Sequence, residues 1–373
     1  MPSYPAIKPV LLALLFLSLI PLASAEKRLV IVDQDGSGPG GSNQMAMMVL
    51  LQSPDTDVLG ITMVTGNAWR DEEVQHTLRM LELIGRSDVP VVPGAVFPLV
   101  RTQEGTRIAS QLYGKVAWLG AWGAGPSTLE QQGSKMPDPT QSHDPYFVAP
   151  LPEGSPHTKP LDQDAAHFLI AQVHAHPHQV TICALGPLTN IALALAIDPH
   201  FAELTRGIFL MGGSLNPQTA DPEFTTSPRR EFNFWFDPEA THIVLRAHWP
   251  RIDITTVDVS IKAPFTQKIV DAIAQSPNPA ARYIAGYNQE RYYMWDEFAA
   301  AAWLDPTLVT GERVLYMDVD LSHGPSYGYT LTWTPPFKPD TDVQLVHAQT
   351  DLDLPRFATM FVDLMKAPPQ AGK

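Results

Sequence analysis

The segment from residue 28 to residue 51 constrains the fold of this chain more than any other part of it. A short aliphatic run at 29–32 leads through two aspartates and a glycine-rich loop into an apolar stretch with helical character. Such a run is typical of a parallel strand that is covered on both faces. Asp33 and Asp35 then lie at the carboxyl end of this strand, where open α/β sheets bind their ligands. Two carboxylates this close repel each other unless a cation or a proton lies between them, so the segment predicts a divalent metal site or an acid–base role.

Strand and helix patterns alternate through the first two thirds of the chain. This alternation predicts an α/β fold with a mostly parallel central sheet and helices on both faces, in a single large domain at 26–373. The predicted strands are 29–32, 58–64, 89–92, 180–185, 208–211 and 252–259. The predicted helices are 70–84, 163–174, 188–197, 267–274, 281–292 and 355–365. Residues 123–159 are rich in Pro, Gly, Ser and Gln and are expected to form a long loop or a flap over the site.

The N-terminus has the pattern of a secretory signal peptide. Lys8 precedes an apolar stretch at 10–22 and the small-residue sequence Ala-Ser-Ala at 23–25, so cleavage is expected after Ala25, with export to the periplasm or the medium. A retained membrane anchor is the alternative, but the apolar stretch is shorter than the roughly 20 residues of a bilayer span. Removing 1–25 changes the formal charge from −14 to −15, because Lys8 is the one charged residue lost. Such an acidic surface disfavours nucleic acid and anionic lipid, and favours a small neutral substrate or a cation.

Two other features of the sequence are weak evidence for a function. Residues 36–41 match the dinucleotide-binding pattern G-x-G-x-x-G, but Asp33 and Asp35 would face the pyrophosphate. The second predicted strand also ends in Thr65-Gly66 rather than in the acidic residue which that fold requires. The glycines more plausibly let the backbone wrap closely around a sugar or a metal. Cys183 is the one cysteine and lies in an apolar run, so it is expected to be a core residue rather than a nucleophile.

The chain carries a series of fragments in a fixed order. They are the aspartate loop, LQSP at 51–54, LGITMVTGN at 59–67, LGPLTNIALAL at 185–195, FLMGGS at 209–214, EFNFWFDPEA at 231–240 and Trp-Asp at 295–296. With these fragments the chain resembles the inosine/uridine-preferring nucleoside hydrolases over nearly all of the mature sequence. The resemblance implies hydrolysis of the N-glycosidic bond of ribonucleosides, with a calcium ion held at the carboxyl ends of the strands.

The resemblance also implies roles for individual residues. Asp35 matches the carboxylate that binds calcium and takes a proton from the attacking water, so it is the expected catalytic base. The positions that correspond to calcium ligands are Asp33, Asp35, Gln44, the backbone carbonyl of Leu185, and Asp296. The positions that correspond to substrate contacts are Asn43, Asn67, Met211, Asn216, Glu231, Asn233 and Trp295. Contacts to the ribose hydroxyls matter because they tighten in an oxocarbenium-like transition state. A homo-oligomer is a further expectation from the resemblance.

Two positions depart from the family pattern. The family's first loop ends in two adjacent aspartates, whereas this loop ends in Asn43-Gln44, so two negative charges are missing and weaker calcium binding is expected. Trp295 replaces a histidine that protonates the leaving base in many members; purine-specific members have tryptophan there, which favours a purine substrate. The candidate stacking partners are Trp69, Trp118, Trp122, Tyr292 and Tyr293. Two alternatives remain at this point: a periplasmic nucleoside- or ribose-binding protein without catalysis, and a hydrolase of another ribosyl or glycosyl compound.

Several other polar groups are interpreted as structural. His174, His176 and His178 alternate at a predicted helix end and are expected to be solvated, because the intervening proline breaks a shared face. Asp318 and Asp320 alternate as on the exposed face of a strand.

Overall fold

The computed structural model of this chain describes residues 1–2, 27–123, 144–288 and 292–370. The predicted signal peptide lies outside the described residues except for its first two positions, and it stays a prediction. Residues 124–143 of the predicted flap also lie outside them. Among the described helices, none combines the length and the apolar character that crossing a membrane requires.

One sheet of nine strands organises the described residues. The strands are β1 (Arg28–Gln34), β2 (Thr56–Met63), β3 (Val91–Pro93), β4 (Thr181–Ala184), β5 (Gly207–Met211), β6 (Ile252–Thr255), β7 (Val309–Val319), β8 (Thr330–Trp333) and β9 (Leu345–Leu352). Their order across the sheet is β3-β2-β1-β4-β5-β6-β9-β7-β8. Seven strands run parallel: β3, β2, β1, β4, β5, β6 and β9. Strands β7 and β8 form an antiparallel edge. The predicted α/β class with a mostly parallel sheet is confirmed.

Fourteen α-helices lie within the described residues. They are α1 (Gly41–Gln52), α2 (Arg70–Ile84), α3 (Gln103–Tyr113), α4 (Ala165–Ala175), α5 (Thr189–Ile197), α6 (Phe201–Leu204), α7 (Pro222–Thr226), α8 (Phe232–Phe236), α9 (Pro238–Arg246), α10 (Val257–Ser260), α11 (Gln267–Ile273), α12 (Pro279–Tyr287), α13 (Trp295–Leu304) and α14 (Leu354–Lys366). Two large apolar clusters cover the two faces of the sheet. Helix α1 is almost entirely buried and packs against α13, which brings the start of α13 to the carboxyl end of β1.

Three predictions about local structure are wrong. The strand predicted at 252–259 ends at Thr255, where the chain enters the short helix α10. The helix predicted at 281–292 begins earlier, at Pro279, and ends at Tyr287. Asp318 is buried rather than exposed, because its carboxylate accepts hydrogen bonds from Arg246 and from His242 of α9.

The described end of the predicted flap packs on helix α2. Arg79 Nε donates to the carbonyl of Glu153 at 2.9 Å, and the Thr158 amide donates to Glu82 Oε1 at 2.7 Å. The Glu153 carboxylate is buried against the ring of His76. Residues 153–158 of the predicted flap therefore pack on the outer surface of α2, and the prediction of a flap at 123–159 stays a prediction.

Candidate active site

The carboxyl ends of four neighbouring parallel strands form the floor of the candidate site. Asp35 follows β1, Asn67 follows β2, Leu185 follows β4, and Met211 ends β5. Because these strands are parallel and adjacent, all four ends lie on the same edge of the sheet. Residues that are far apart in the sequence therefore meet here.

Asp35 is fully buried and held by amide donors on both carboxylate oxygens. Oδ1 accepts from Asn43 Nδ2 at 2.9 Å, and Oδ2 accepts from the backbone and side-chain nitrogens of Asn67 at 3.0 and 2.9 Å. Two glycines pack closely against Asp35. A Cβ atom on Gly66 would lie 2.3 Å from Asp35 Oδ2, and one on Gly186 would lie 2.8 Å from the Asp35 nitrogen. The glycines in the fragments VTGN and LGPLTN are thus required by the close approach of Asp35.

Asp296, at the start of α13, reaches the same centre from the other end of the chain. Its Oδ2 accepts from Asn43 Nδ2 at 3.0 Å and from Gln34 Nε2 at 3.2 Å. The Asn43 nitrogen is also 3.0 Å from Gln34 Oε1. The side-chain amide of Asn43 therefore lies between the carboxylates of Asp35 and Asp296.

The electrostatics of this centre favour a cation. Burial raises the pKa of Asp35 well above its ordinary value, and the charge of Glu231 raises it further. Burial likewise raises the pKa of Asp296, with the charge of Asp35 as the next contribution. Within the described parts of the chain, no Lys, Arg or His side chain forms an ion pair with Asp35, Asp296 or Glu231.

Asp33 and Gln44, two of the predicted metal ligands, lie beside this centre with other partners. Asp33 Oδ2 accepts from the hydroxyl of Thr62 and from Asn190 Nδ2, the latter at 2.8 Å, and its buried Oδ1 has no hydrogen-bond partner. Burial raises the pKa of Asp33 to about 7, although these two hydrogen bonds lower it. Gln44 Nε2 donates to the carbonyl of Gly36 at 3.0 Å, and among the described residues its buried Oε1, like Asp33 Oδ1, has no hydrogen-bond partner. Asn43, rather than Gln44, is thus the loop amide that joins the carboxylates.

Glu231 and Asn233 line the floor next to β5. Glu231 begins helix α8, and its carboxylate accepts from the backbone nitrogens of Gly213, Asn233 and Phe234 at 2.8 to 3.0 Å. Burial nevertheless raises the pKa of Glu231 to about 7. Asn233 Nδ2 donates to the carbonyl of Leu185 at 3.1 Å and to that of Met211 at 3.0 Å. Asn233 therefore ties the ends of β4 and β5 together.

Two of the predicted aromatic residues lie next to members of this group, because Trp118 hydrogen-bonds to Asn67 and Trp295 directly precedes Asp296. The Trp295 ring packs edge to face against Phe224 and Tyr293, with centroids 6.0 and 5.1 Å apart. Trp118 Nε1 donates to Asn67 Oδ1 at 2.6 Å, and the Trp118 ring lies 6.4 Å from that of Phe232.

Other predicted residues have structural surroundings. Trp69 and Trp122 belong to a small buried aromatic cluster. Tyr292 stacks on Phe265. Asn216 is exposed, and its backbone nitrogen donates to Asp258 Oδ1 at 2.9 Å.

The sequence analysis missed two buried polar residues at this centre, Gln34 and Glu73, and left open whether Glu297, beside Asp296, supports the site or only begins a helix. Gln34 bridges Asp296 and Asn43, as described above. Glu73 has a pKa that is raised by burial and by the charge of Asp35, and its Oε1 accepts from the Ala68 nitrogen at 2.9 Å. Glu297 accepts from the hydroxyls of Ser42 and Tyr292. Gln34 directly precedes Asp35 at the end of a buried strand, and this position was the available signal in the sequence.

The donor set fits a hard divalent cation such as calcium. Calcium is bound by carboxylate oxygens and by backbone carbonyls, which Asp35, Asp296 and Leu185 provide. The unpartnered Oδ1 of Asp33 and the mutual repulsion of the buried carboxylates are what a bound cation would relieve. Elsewhere in the described residues, Asp253, Glu312 and His347 bring ligand atoms within 4.8 Å of one another, but both Asp253 oxygens already accept from Arg251.

Comparison with known proteins identifies the family of this chain. Residues 30–359 match the model of the family described as inosine-uridine preferring nucleoside hydrolase. This protein belongs to that family. It is therefore a nucleoside N-ribohydrolase, an enzyme that cleaves the N-glycosidic bond of ribonucleosides.

Individual relatives cover most of the chain. A probable uridine nucleosidase 2 of Arabidopsis thaliana is 30% identical over 265 residues, which are 70% of this chain and 69% of the relative. An inosine-uridine preferring nucleoside hydrolase of Leishmania major is 28% identical over 316 residues, which are 82% of this chain and 87% of the relative. The solved structure of a plant nucleoside hydrolase superposes with a TM-score of 0.68 at 25% identity, covering 91% of this chain and 99% of that one.

Proposed function

We propose that this nucleoside hydrolase is calcium-dependent, prefers purine ribonucleosides, and uses Asp35 as the base that activates water. The observation that carries the proposal is the convergence of Asp35 and Asp296 on Asn43, beside the amide of Asn67. These groups come from the segment after β1, the start of α1, the loop after β2 and the start of α13. A binding protein without catalysis would not need an isolated pair of buried carboxylates, which is costly without a cation or a proton.

Asp35 is suited to receive the proton of the attacking water. The amides of Asn43 and Asn67 fix the orientation of its carboxylate. Asp35, Asp296, the unpartnered Oδ1 of Asp33 and the Leu185 carbonyl would hold the ion. When bound, the ion supplies a fixed positive charge that lowers the pKa of the nucleophile and orients it.

Glu231, Asn233 and Asn67 are proposed to hold the ribose. Glu231 is locked by three backbone N–H groups and Asn233 by two carbonyls, so neither must be ordered when substrate arrives. Hydrogen bonds to ribose hydroxyls that tighten as positive charge develops on the sugar lower the barrier.

The purine preference rests on the aromatic residues near the start of α13. Trp295, with Phe224 and Tyr293 packed against it, offers an extended apolar surface for a two-ring base. The names of both sequence relatives include uridine, so a test of this preference must include pyrimidine nucleosides.

A panel of ribonucleosides tests the proposed function. The purified protein, in buffer with calcium, is expected to release reducing sugar from inosine, guanosine and adenosine faster than from uridine and cytidine. A chelator should abolish the release, and calcium should restore it. Absence of ribose release from every nucleoside, or full activity in chelator, would contradict the calcium-dependent mechanism.

Replacing Trp295 with alanine tests the source of the purine preference. Stacking of a base on an aromatic ring contributes about 1–3 kcal/mol, so kcat/KM for inosine is expected to fall by about tenfold or more, with that for uridine changing much less. Trp303→Ala is the matched control, since Trp303 lies at the other end of the same helix under the guanidinium of Arg28. Equal losses for both nucleosides would remove Trp295 as the origin of the preference.

The raised pKa values also predict how stability depends on pH. Asp33 and Glu231 have pKa values of about 7 when folded, above those of unfolded carboxyls, so the folded state binds more protons between about pH 4 and 7. Their contribution to the free energy of unfolding is fully present below the pKa of the unfolded carboxyls, and it is lost as the pH rises through 7. We therefore expect the melting temperature in chelator to fall between pH 5 and 8, and calcium to reduce that fall. Thermal unfolding across this range is the measurement, and a melting temperature in chelator that rises with pH would contradict it.

A further inference from the structure

The side chain of Gln34 is fully buried at the centre of the candidate site, and it is neither the proposed base nor a proposed ligand of the ion. It is the last residue of β1 and lies between the two predicted carboxylate positions of the sequence. Its amide makes hydrogen bonds to three separate parts of the site. Oε1 accepts from the Asp35 backbone nitrogen at 2.9 Å and from Asn43 Nδ2 at 3.0 Å, and Nε2 donates to Asp296 Oδ2 at 3.2 Å.

The contact with the Asp35 backbone fixes which way the Gln34 amide points. A backbone N–H can only donate, so the atom that faces it must be the amide oxygen. The amide nitrogen must then face Asp296, where it meets an acceptor. Amide orientation is often ambiguous in proteins, but here the backbone removes the ambiguity.

The orientation of Gln34 in turn fixes that of Asn43. Because Gln34 Oε1 is an acceptor, it requires the nitrogen of the Asn43 amide to face it at 3.0 Å. That nitrogen then also faces Asp35 Oδ1 and Asp296 Oδ2. The Asn43 oxygen then faces Ser37 Oγ and Asn67 Nδ2, at 3.4 and 3.5 Å. A chain of donors and acceptors thus runs from the β1 backbone to both carboxylates.

This chain of hydrogen bonds matters because Asp35 and Asp296 repel each other in a buried environment. No described cationic side chain pairs with them, so neutral amide donors supply the compensation that the protein itself offers. Removing the Gln34 amide would leave Asp296 with one donor fewer and Asn43 free to turn. The spacing of the two carboxylates would then be less well defined.

We propose that Gln34 is a positioning residue that holds Asp296 and Asn43 in register with Asp35 for the ion and the attacking water. The inference rests on the proposed function. In this proposal Gln34, which lies between Asp33 and Asp35 in the sequence, forms a neutral bridge between Asp35 and Asp296.

The variant Gln34→Met, which keeps the length of the side chain and removes all three hydrogen bonds, tests the proposal. Outer groups that orient metal ligands typically change metal affinity or activity by about 10–100-fold, so we expect the calcium Kd from calorimetry to rise by at least about tenfold. At saturating calcium, kcat for inosine should fall by a similar factor while KM stays within about threefold, because Gln34 does not contact the ribose-holding residues.

Gln52→Met is the matched control. Gln52 is also a buried glutamine, and its Nε2 donates to the Ala367 carbonyl at 3.0 Å at the far end of α1. We expect this variant to lose thermal stability but to keep the calcium Kd and kcat of the wild type. If Gln34→Met does not fold, Gln34→Asn, which keeps an amide but is too short to reach Asp296, carries the same expectation.

The outcomes separate the two proposals. Wild-type protein that binds no calcium, or that cleaves no nucleoside, would overturn the proposed function and the role of Gln34 with it. Wild-type protein that binds calcium and turns over, with a folded Gln34→Met variant whose Kd and kcat are within about threefold of wild type, would overturn the role of Gln34 alone. A loss of kcat that Gln52→Met reproduces would assign the effect to general destabilisation.

Discussion

Replacing Asp35 with asparagine is expected to lower kcat for inosine by about 1,000-fold or more while the protein stays folded. A positioned general base contributes about 10²- to 10⁴-fold, and this variant also removes one negative ligand of the ion. Folding should be retained, because the neutral side chain no longer repels Asp296 in a buried environment. Ribose release measures the activity, and thermal unfolding in chelator measures the stability.

Asp318→Asn is the matched control for the Asp35 variant. Asp318 is equally an aspartate of the protein interior, but it is paired with Arg246 and His242 away from the candidate site. Its replacement should lower stability and leave kcat within about threefold, which is the opposite pattern to Asp35→Asn. Undiminished turnover by Asp35→Asn would refute the assignment of the base.

Replacing Asp296 with asparagine is expected to weaken calcium binding by about 100-fold or more. Asp296 is one of the two carboxylates that meet at Asn43, and the charge of the ligand set is a main determinant of calcium affinity. At low calcium, activity should be nearly lost, with partial recovery as the calcium concentration is raised. Calorimetric titration of the variant with calcium gives the affinity directly.

Asp253→Asn distinguishes the candidate site from the other group of metal-ligating side chains. Asp253 lies with Glu312 and His347 on strands β6, β7 and β9, and its carboxylate is already paired with Arg251. We expect this variant to bind calcium as the wild type does. Loss of the main calcium site in Asp253→Asn but not in Asp296→Asn would place the ion outside the proposed active site.

Local patterns predicted the elements of this fold well where hydrophobic periodicity and terminal residues agreed. Helix α2 begins at Arg70 and ends at Ile84 as predicted, with Gly85 in the left-handed conformation that ends helices. The strand predicted at 252–259 was wrong beyond Thr255, because its β-branched residues favour a strand whereas the chain turns into helix α10 there.

Only some residues of the candidate site could be predicted from the sequence. Asp35, Asn67 and Glu231 follow strands or begin a helix, so fragments of sequence were enough to identify them as candidates. Gln34 carried no chemical motif, and the choice between Asn43 and Gln44 depends on how the first turn of α1 is rotated against its neighbours. In the structure, Asn43 faces the carboxylates and Gln44 faces Gly36.

The sequence by itself determined that the chain forms a mostly parallel α/β sheet with two aspartates at the carboxyl end of its first strand. Hydrophobic periodicity and the glycine-rich loop are local properties, so they can be read without knowing what lies nearby. Only the tertiary structure decided which side chains share the centre. Asn43 and Asp296 are 253 positions apart, and they meet because α13 packs on α1 and directs its first turn to the end of β1. Contacts at this separation are set by the packing of whole helices, which no short stretch of sequence encodes.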